Sequence, residues 1–418
     1  MAGLACACEL VDAGLDVVVL EAKNYLGGRA HSFREKESGA TIDNCQHVLL
    51  GCCSAAKKFL AKLGSSALVD FKDEVRIVDE SGEALSVKAS LLPAPLHLAP
   101  SIIGTRFIST RDKISLARVM AGIARRNPGK EQTALDYLQS LRCPRVLVER
   151  VIEPVLISAL NEELHQASAR YARMVLTKIL MGSRNSCKLG VPKAPLMQVI
   201  EGPALRYLCK RGREVRTCAR VERLNIEGDH IRSITLAGGE ELAYDYYVCA
   251  VPPWSLTEMG FQTPAAEEMT WHPIISAHLF YEDGNLDFDQ ACVMGEPFQW
   301  VFNKSGGFGQ KFNYVQTVAS AADNLIGFSA NEIIHLADKA VTKVAGRRKP
   351  ALKRAVLYTA RRATFSTTPG TDAIRPTSKT HLGNLFLAGD WTDTHWPATI
   401  ESAVRSGHTA AKAVISIA

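Results

Sequence analysis

Two acidic residues in this chain end short apolar runs, a position from which a carboxylate can take hold of a ligand's hydroxyl groups. Glu21 closes the run 16–21, Asp-Val-Val-Val-Leu-Glu, and Gly27-Gly28-Arg29 follows it. At the end of the second strand of a nucleotide-binding unit, such a carboxylate accepts hydrogen bonds from a ribose diol. Its separation of 18 residues from Gly3 (3 to 21) is close to the roughly 20 expected after a glycine-rich turn. Gly27 and Gly28 would then let a ligand come close to the main chain. Asp390 closes a second run, 384–390, with Gly389 before it and a helical pattern beginning near Thr399 and Ile400. A helix N-terminus placed there would stabilise negative charge on the ring of a bound redox cofactor. A third cluster, Asp43, Gln46 and His47, stands directly before Val48-Leu49-Leu50 and carries groups able to give or take a proton. Each feature alone also fits a solvated strand end or a satisfied core histidine. The conjunction of Glu21 with Gly27-Gly28 is what points to a dinucleotide site.

The elements that must hold these residues follow from periodicity. Leu4, Cys8 and Val11 repeat at helical spacing, with Gly14 placed to end the helix. The run 16–21 then reads as a buried parallel strand. From about 71 to 197 the pattern changes to a strand at 75–78, a proline-broken apolar stretch, and helices that include 114–120 and 146–152. Strands return at 216–226, 230–236 and 246–251. Phe298, Trp300 and Phe302 are two apart and should share one sheet face, with a turn at Gly306-Gly307. The two kinds of pattern interleave. The expected fold is α/β: a doubly wound, Rossmann-like domain from residues 1–70, 198–260 and 355–418, and a second domain of mixed sheet and helices from 71–197 and 261–354. A Gly-x-Gly-x-x-Gly fingerprint should follow a first strand, and Met1-Ala2-Gly3-Leu4 can supply only its last glycine. The expectation is that the first strand of that unit is missing and that the natural polypeptide begins upstream of Met1.

Composition removes several function classes. The formal net charge of +6 is small for 418 residues. The basic clusters Arg125-Arg126 and Arg347-Arg348-Lys349 lack interleaved aromatic residues, so no nucleic-acid partner is expected. Eleven cysteines without Cys-x-x-Cys spacing suggest neither a disulfide framework nor a metal site, and fit a cytoplasmic protein with reduced thiols. Glu9, Asp12 and Asp16 interrupt any signal-like N-terminal run. No apolar run reaches the roughly 20 residues of a membrane span. The nearest, 89–105, is broken by Pro93, Pro95 and Pro100. Its Leu91, Leu92, Leu96, Leu98, Ile102 and Ile103, followed by Arg106, Arg111, Lys113 and Arg118, suit a peripheral contact with an anionic membrane surface.

Gly3-Leu4-Ala5, Glu21-Ala22, Gly27-Gly28-Arg29 and Gly389-Asp390 resemble the amine oxidase and carotene desaturase superfamily of flavoproteins. Asp43-Asn44-Cys45-Gln46-His47, Leu92-Pro93-Ala94-Pro95-Leu96, Leu156-Ile157-Ser158-Ala159-Leu160-Asn161, Gln299-Trp300-Val301-Phe302 and the stretch 389–407 resemble, more closely, the squalene-associated FAD-dependent desaturases. That group includes the hydroxysqualene dehydroxylases of bacterial hopanoid synthesis, and the resemblance runs the length of the chain. It implies FAD as cofactor. Gly3, Glu21, Gly27, Gly28 and Arg29 would hold the ADP half, and the Val221 main chain would meet the adenine. Gly389, Asp390, Thr399 and the Ile400 main chain would hold the ribityl chain and the flavin ring. The implied reaction is reductive removal of an allylic hydroxyl from hydroxysqualene, with an electron donor that the sequence does not identify. His47 is the first candidate acid and Asp43 the second, Gln46 lies beside them, and Phe298, Trp300 and Phe302 would wall an apolar pocket. The alternatives are polyene desaturation, amine oxidation, or a non-catalytic remnant that binds an isoprenoid or a partner. Cys45 and His395 stand where the family has glycine, and Ser402 replaces another small residue.

Overall fold

The computed structural model describes residues 1–284, 286–305, 313–346 and 349–418. The expected turn at Gly306-Gly307 and the Arg347-Arg348 cluster lie outside the described residues.

The chain opens with the helix Ala2–Asp12, whose small side chains allow close packing on the C-terminal helix Ile400–Ile415. A Cβ at Gly407 would run into the Ala2 carbonyl oxygen, so this helix crossing depends on glycine. Gly14, with φ of +85°, turns the chain into the strand Val18–Leu20, which pairs in parallel with Glu214–Arg216. A second parallel pair joins Tyr247–Cys249 to Leu385–Leu387. These strands are shorter than the sequence runs suggested: Val18–Leu20 stops directly before Glu21, and Leu385–Leu387 stops three residues before Asp390, which lies in the turn that follows. The strands Val221–Glu227, His230–Leu236 and Glu241–Leu242 form a separate antiparallel sheet.

The rest of the chain builds a seven-stranded mixed sheet. Its order is Leu352–Phe365, Trp271–Tyr281, Asn313–Ala319, Trp300–Asn303, Gln290–Val293, Glu74–Val78, Ala84–Lys88. All neighbours are antiparallel except Gln290–Val293 beside Glu74–Val78. Side-chain alternation sorts its two faces. Ile275, Ala277, Leu279 and Tyr281 pack under the helix Ala330–Ala345, which starts with a Ser329/Glu332 capping box. Ile274 on the opposite face joins Phe302, Val318 and Trp300. The helices Thr110–Arg125, Ala134–Ser140, Glu153–Leu160 and Ala169–Leu180 contribute to a third core around Tyr137, Leu156 and Leu176.

Two expectations change in detail. The boundary placed at 354/355 falls inside the strand Leu352–Phe365, which belongs to the seven-stranded sheet. Phe298 precedes the strand Trp300–Asn303 and does not share the alternation of Trp300 and Phe302. It is fully buried in the core under Ala330–Ala345, whereas Trp300 and Phe302 stack at 5.6 Å on the other face.

Candidate functional site

A cavity of about 2030 Å3 runs from the space between the two parallel strand pairs to the inner face of the seven-stranded sheet. At one end it is lined by Gly3, residues 17–21, Val221 and residues 246–251; at the other, by Val48, Val75, Ile274, Trp300, Phe302 and Val318. Gly27, Gly28, Arg29, Gly389, Asp390, Thr399 and Ile400 line it between. Twelve of the thirteen residues proposed from sequence meet in this one cavity. Asp43 is the exception.

Glu21 reaches the cavity because its amide is the last rung of the parallel pair, bonded to the Arg216 carbonyl at 2.9 Å. One carboxylate oxygen accepts from the Lys23 amide at 2.8 Å, which fixes the side chain. Gly27 and Gly28 turn the chain at φ of +104° and +66°. A Cβ on Gly27 would strike the Ala30 carbonyl, and Gly28 opens onto free space where a ligand can meet bare main chain. Arg29 then crosses the molecule. Its guanidinium forms an ion pair with Asp390, donates to the Ala363 carbonyl at 2.7 Å and stacks over Trp271 at 5.6 Å.

The Asp390 loop is held from below by a residue the sequence reading missed. Arg375, almost fully buried, donates to the Asp390 carbonyl at 2.9 Å, the Trp396 carbonyl at 2.8 Å, the Thr394 hydroxyl at 3.0 Å, and to the Thr392 carbonyl and Tyr171 hydroxyl. No periodicity marks this arginine, because its partners are defined only by a loop. The Ser402 hydroxyl, at one of the departures from the family pattern, also donates to the Asp390 carbonyl at 3.1 Å. Thr399 caps the following helix by accepting from the Ser402 amide at 3.1 Å. Glu401, in the first turn, points away and accepts from the amides of Ala55 and Ala56 at 3.1 and 2.8 Å. The helix end beside Ile400 is thereby left to face the cavity.

Asp43 turns inward. It accepts from the Ser32 hydroxyl at 2.7 Å and the Leu196 amide at 2.8 Å, and it does not line the cavity. The whole strand Thr41–Asp43 lies off the cavity, and the lining begins one residue later, at Asn44. Burial raises its carboxyl above the usual range, and burial lowers the neighbouring Lys304 to about 8. Asn44, also missed, donates to the Arg29 carbonyl at 2.9 Å and accepts from the His31 amide at 3.2 Å, tying the 44–47 segment to the glycine turn. Gln46 donates to the His47 carbonyl at 3.0 Å, leaving Oε1 buried without a partner. His47 Nε2 is likewise buried and unpartnered. Burial first, then His31 and Arg29 nearby, lower its ring to about 4, so at neutral pH it is an uncharged imidazole.

The residues present fit FAD. The glycine turn is a cradle that a side chain would fill, one carboxylate stands at a strand end and another in the turn after a strand, and a capped helix of 16 residues opens on the cavity. Glu21 suits a ribose diol, Gly27-Gly28 a pyrophosphate, and Asp390 with the helix end a ribityl chain and an electron-rich ring. Among the described residues, no group of three or more His, Cys, Asp or Glu is arranged to hold a metal ion.

The comparisons with known proteins agree. The model of the flavin containing amine oxidoreductase family matches residues 1–415. A hydroxysqualene dehydroxylase of Rhodopseudomonas palustris is 30% identical, with 100% of this chain and 96% of that protein covered. A 15-cis-phytoene desaturase of Synechococcus elongatus is 23% identical, with 100% and 94% covered. A solved putrescine oxidase variant, 16% identical, superposes with a TM-score of 0.74 over 100% of this chain and 97% of its own, a likeness of fold. By its sequence, its fold and the cavity that gathers these residues, the chain belongs to the flavin-containing amine oxidoreductase family, with FAD as its cofactor.

Proposed function

We propose that this protein removes the allylic hydroxyl of hydroxysqualene and yields squalene. The observation that carries the reading is the composition of the cavity: polar groups of Gln46 and His47 stand at the edge of an apolar wall of Val48, Val75, Ile274, Trp300, Phe302 and Val318. An isoprenoid with one hydroxyl matches that pattern, and the dehydroxylase relative supports it. Held by Glu21, the Gly27-Gly28 turn and Asp390, reduced FAD would supply a hydride to carbon. The C–O bond breaks with its electron pair on oxygen, and a proton completes water, because hydroxide is a poor leaving group at neutral pH. In this reading His47 holds that oxygen and passes on a proton taken up from solvent during turnover, since its resting ring is uncharged. Its low affinity for protons makes it a strong acid once charged. Trp300 is fixed for its wall role by donating to the Ser158 hydroxyl at 2.6 Å.

In this reading the segments 1–70, 198–260 and the part of 355–418 beyond Phe365 carry the cofactor, and the seven-stranded sheet with its helices shapes the substrate pocket. We place the protein on a membrane surface without a span. No helix among the described residues is long and apolar enough to cross a membrane. Leu91, Leu96 and Ile103 are 87%, 56% and 69% exposed, with Arg106, Arg111 and Arg118 exposed nearby. A lipid-dissolved substrate would enter from there, and a separate donor would reduce the flavin.

The test is product analysis. Holoprotein reduced with dithionite and given hydroxysqualene should form squalene. The phytoene desaturase relative motivates the second arm, in which oxidised holoprotein is given a saturated polyene precursor. A new double bond there, with no squalene in the first arm, would replace this reading by desaturation.

A further inference from the structure

Two strand segments meet beside the cavity, and each runs into a cysteine that the proposed reaction does not use. The short strand Leu49–Leu50 pairs antiparallel with Leu189–Pro192, Leu50 standing opposite Leu189. The pairing continues past the strand ends: the Gly51 amide donates to the Lys188 carbonyl at 2.9 Å, and the Cys52 amide to the Ser186 carbonyl at 3.2 Å. The main chains touch here, since a Cβ on Gly51 would fall 1.6 Å from the Asn185 carbonyl oxygen. Two residues after Leu50 comes Cys52, and two residues before Leu189 comes Cys187. Alternation gives each cysteine the side that its leucine takes. Cys52 and Cys187 accordingly pack, with Leu50, against the same helical core around Tyr137, Leu156 and Leu176.

Residues paired across antiparallel strands have α-carbons about 4.5–5.5 Å apart, inside the roughly 4.4–6.8 Å that a disulfide spans. Both thiols are free and half-buried, and Cys187 lines the cavity. The Cys187 thiol donates to the Arg184 carbonyl at 3.5 Å, a weak bond that rotation of its side chain releases. Cys52 is the more reactive of the two. The adjacent Cys53 thiol bonds to it and holds it below the usual thiol range, while that bond and then burial push Cys53 well up. A thiolate is the form of cysteine that attacks an oxidant.

We infer that Cys52 and Cys187 form a reversible disulfide at the cavity wall, with hydrogen peroxide as the oxidant. The Cys52 thiolate attacks one peroxide oxygen, the O–O bond breaks, and the departing hydroxide takes up a proton to give water. The Cys187 thiol then attacks the sulfenic sulfur, forms the S–S bond and releases a second water. Two thiols give up two hydrogens and two electrons, and the peroxide is reduced to water. Hydrogen peroxide is what a reduced flavin and dioxygen give when no substrate takes the hydride, so a thiol lining this cavity stands at its source. The bridge ties the segment that carries Gln46 and His47 to the loop that precedes Leu189.

The experiment exposes holoprotein with reduced thiols to hydrogen peroxide, blocks the remaining thiols with N-ethylmaleimide and maps tryptic peptides by mass spectrometry without reduction. Cleavage after Lys36, Lys57, Arg184 and Lys188 leaves Cys45, Cys52 and Cys53 on 37–57 and Cys187 on 185–188. Wild type should give these two peptides joined, lighter by two hydrogens than their sum, and dithiothreitol should return both. Cys52→Ser and Cys187→Ser should each lose the joined pair. Cys53→Ser should keep it and form it more slowly. A joined pair that survives Cys52→Ser, a bond confined to 37–57, or peptides left unjoined in wild type would overturn the inference.

Discussion

Replacing Arg375 with methionine tests how the flavin side of the site is held. The change keeps an aliphatic stem between Phe365 and Tyr171, over whose rings the guanidinium sits at 4.8 and 5.9 Å, and removes every donor. The Asp390, Thr392 and Trp396 carbonyls then lose a charged partner. Each such hydrogen bond contributes about 1.5–3 kcal/mol, and a buried carbonyl left bare costs about 1–3 kcal/mol. Such losses are not additive, because Ser402 still donates to Asp390 and the loop relaxes. A net destabilisation of about 3–5 kcal/mol follows, in line with breaking other buried charged networks. That is a large share of a typical total of about 5–15 kcal/mol. With an unfolding entropy near 2.1 cal/mol/K per residue, a 418-residue chain that unfolds cooperatively should lose about 3–6 °C in Tm. The assay is calorimetry of the holoprotein, paired with flavin retention on gel filtration, since the freed loop carries Asp390. Arg375→Lys should behave similarly, because an ammonium cannot span the same fork of acceptors. A Tm within about 1 °C of wild type together with full flavin retention would refute the reasoning.

Glu21→Ala should weaken FAD binding by about 1.5–3 kcal/mol, roughly 10- to 150-fold in dissociation constant; an unchanged constant by flavin fluorescence sinks the assignment. His47 and His278 are kept uncharged by burial, at about 4 and about 3, whereas an unfolded histidine takes up a proton near 6.5. Their stability contribution is complete above pH 6.5 and is lost as pH falls toward those values, at about 1.4 kcal/mol per unit for each ring. His47→Phe should flatten that acid slope of Tm, and an identical slope in the variant contradicts it. His272 is the opposite case, raised to about 9 by Glu162 first and aided by Asp323. Its contribution is complete below pH 6.5 and disappears as pH rises through 9, so His272→Gln should remove part of the alkaline loss measured in wild type. Leu91→Asp with Ile103→Asp should abolish co-sedimentation with anionic liposomes and leave bound FAD intact; wild-type protein that never co-sediments defeats the membrane contact.

What the sequence revealed followed from local signals. Glu21 was legible because a β-branched run and two glycines surround it, and Asp390 and Ile400 because a strand, a turn and a helix start follow in close order. The seven-stranded sheet was foreshadowed only in pieces. Its neighbours Glu74–Val78 and Gln290–Val293 are more than 200 residues apart, and no periodicity specifies such a pairing. The same limit hid the Arg29–Asp390 ion pair, which joins residues 361 apart, and the anchoring by Arg375. Asp43 and Phe298 illustrate a finer limit. Their types suited the site, but Asp43 lies one residue short of the segment that lines the cavity, and Phe298 precedes the strand whose alternation Trp300 and Phe302 share.

The most direct measurement is a single anaerobic turnover. Holoprotein with fully reduced, colourless flavin is mixed with one equivalent of hydroxysqualene, and the absorbance near the oxidised flavin band is followed while squalene is quantified. The yellow colour should return, with one squalene formed for each flavin oxidised. Flavin that stays reduced in the presence of the alcohol, with no squalene formed, would rule out dehydroxylation.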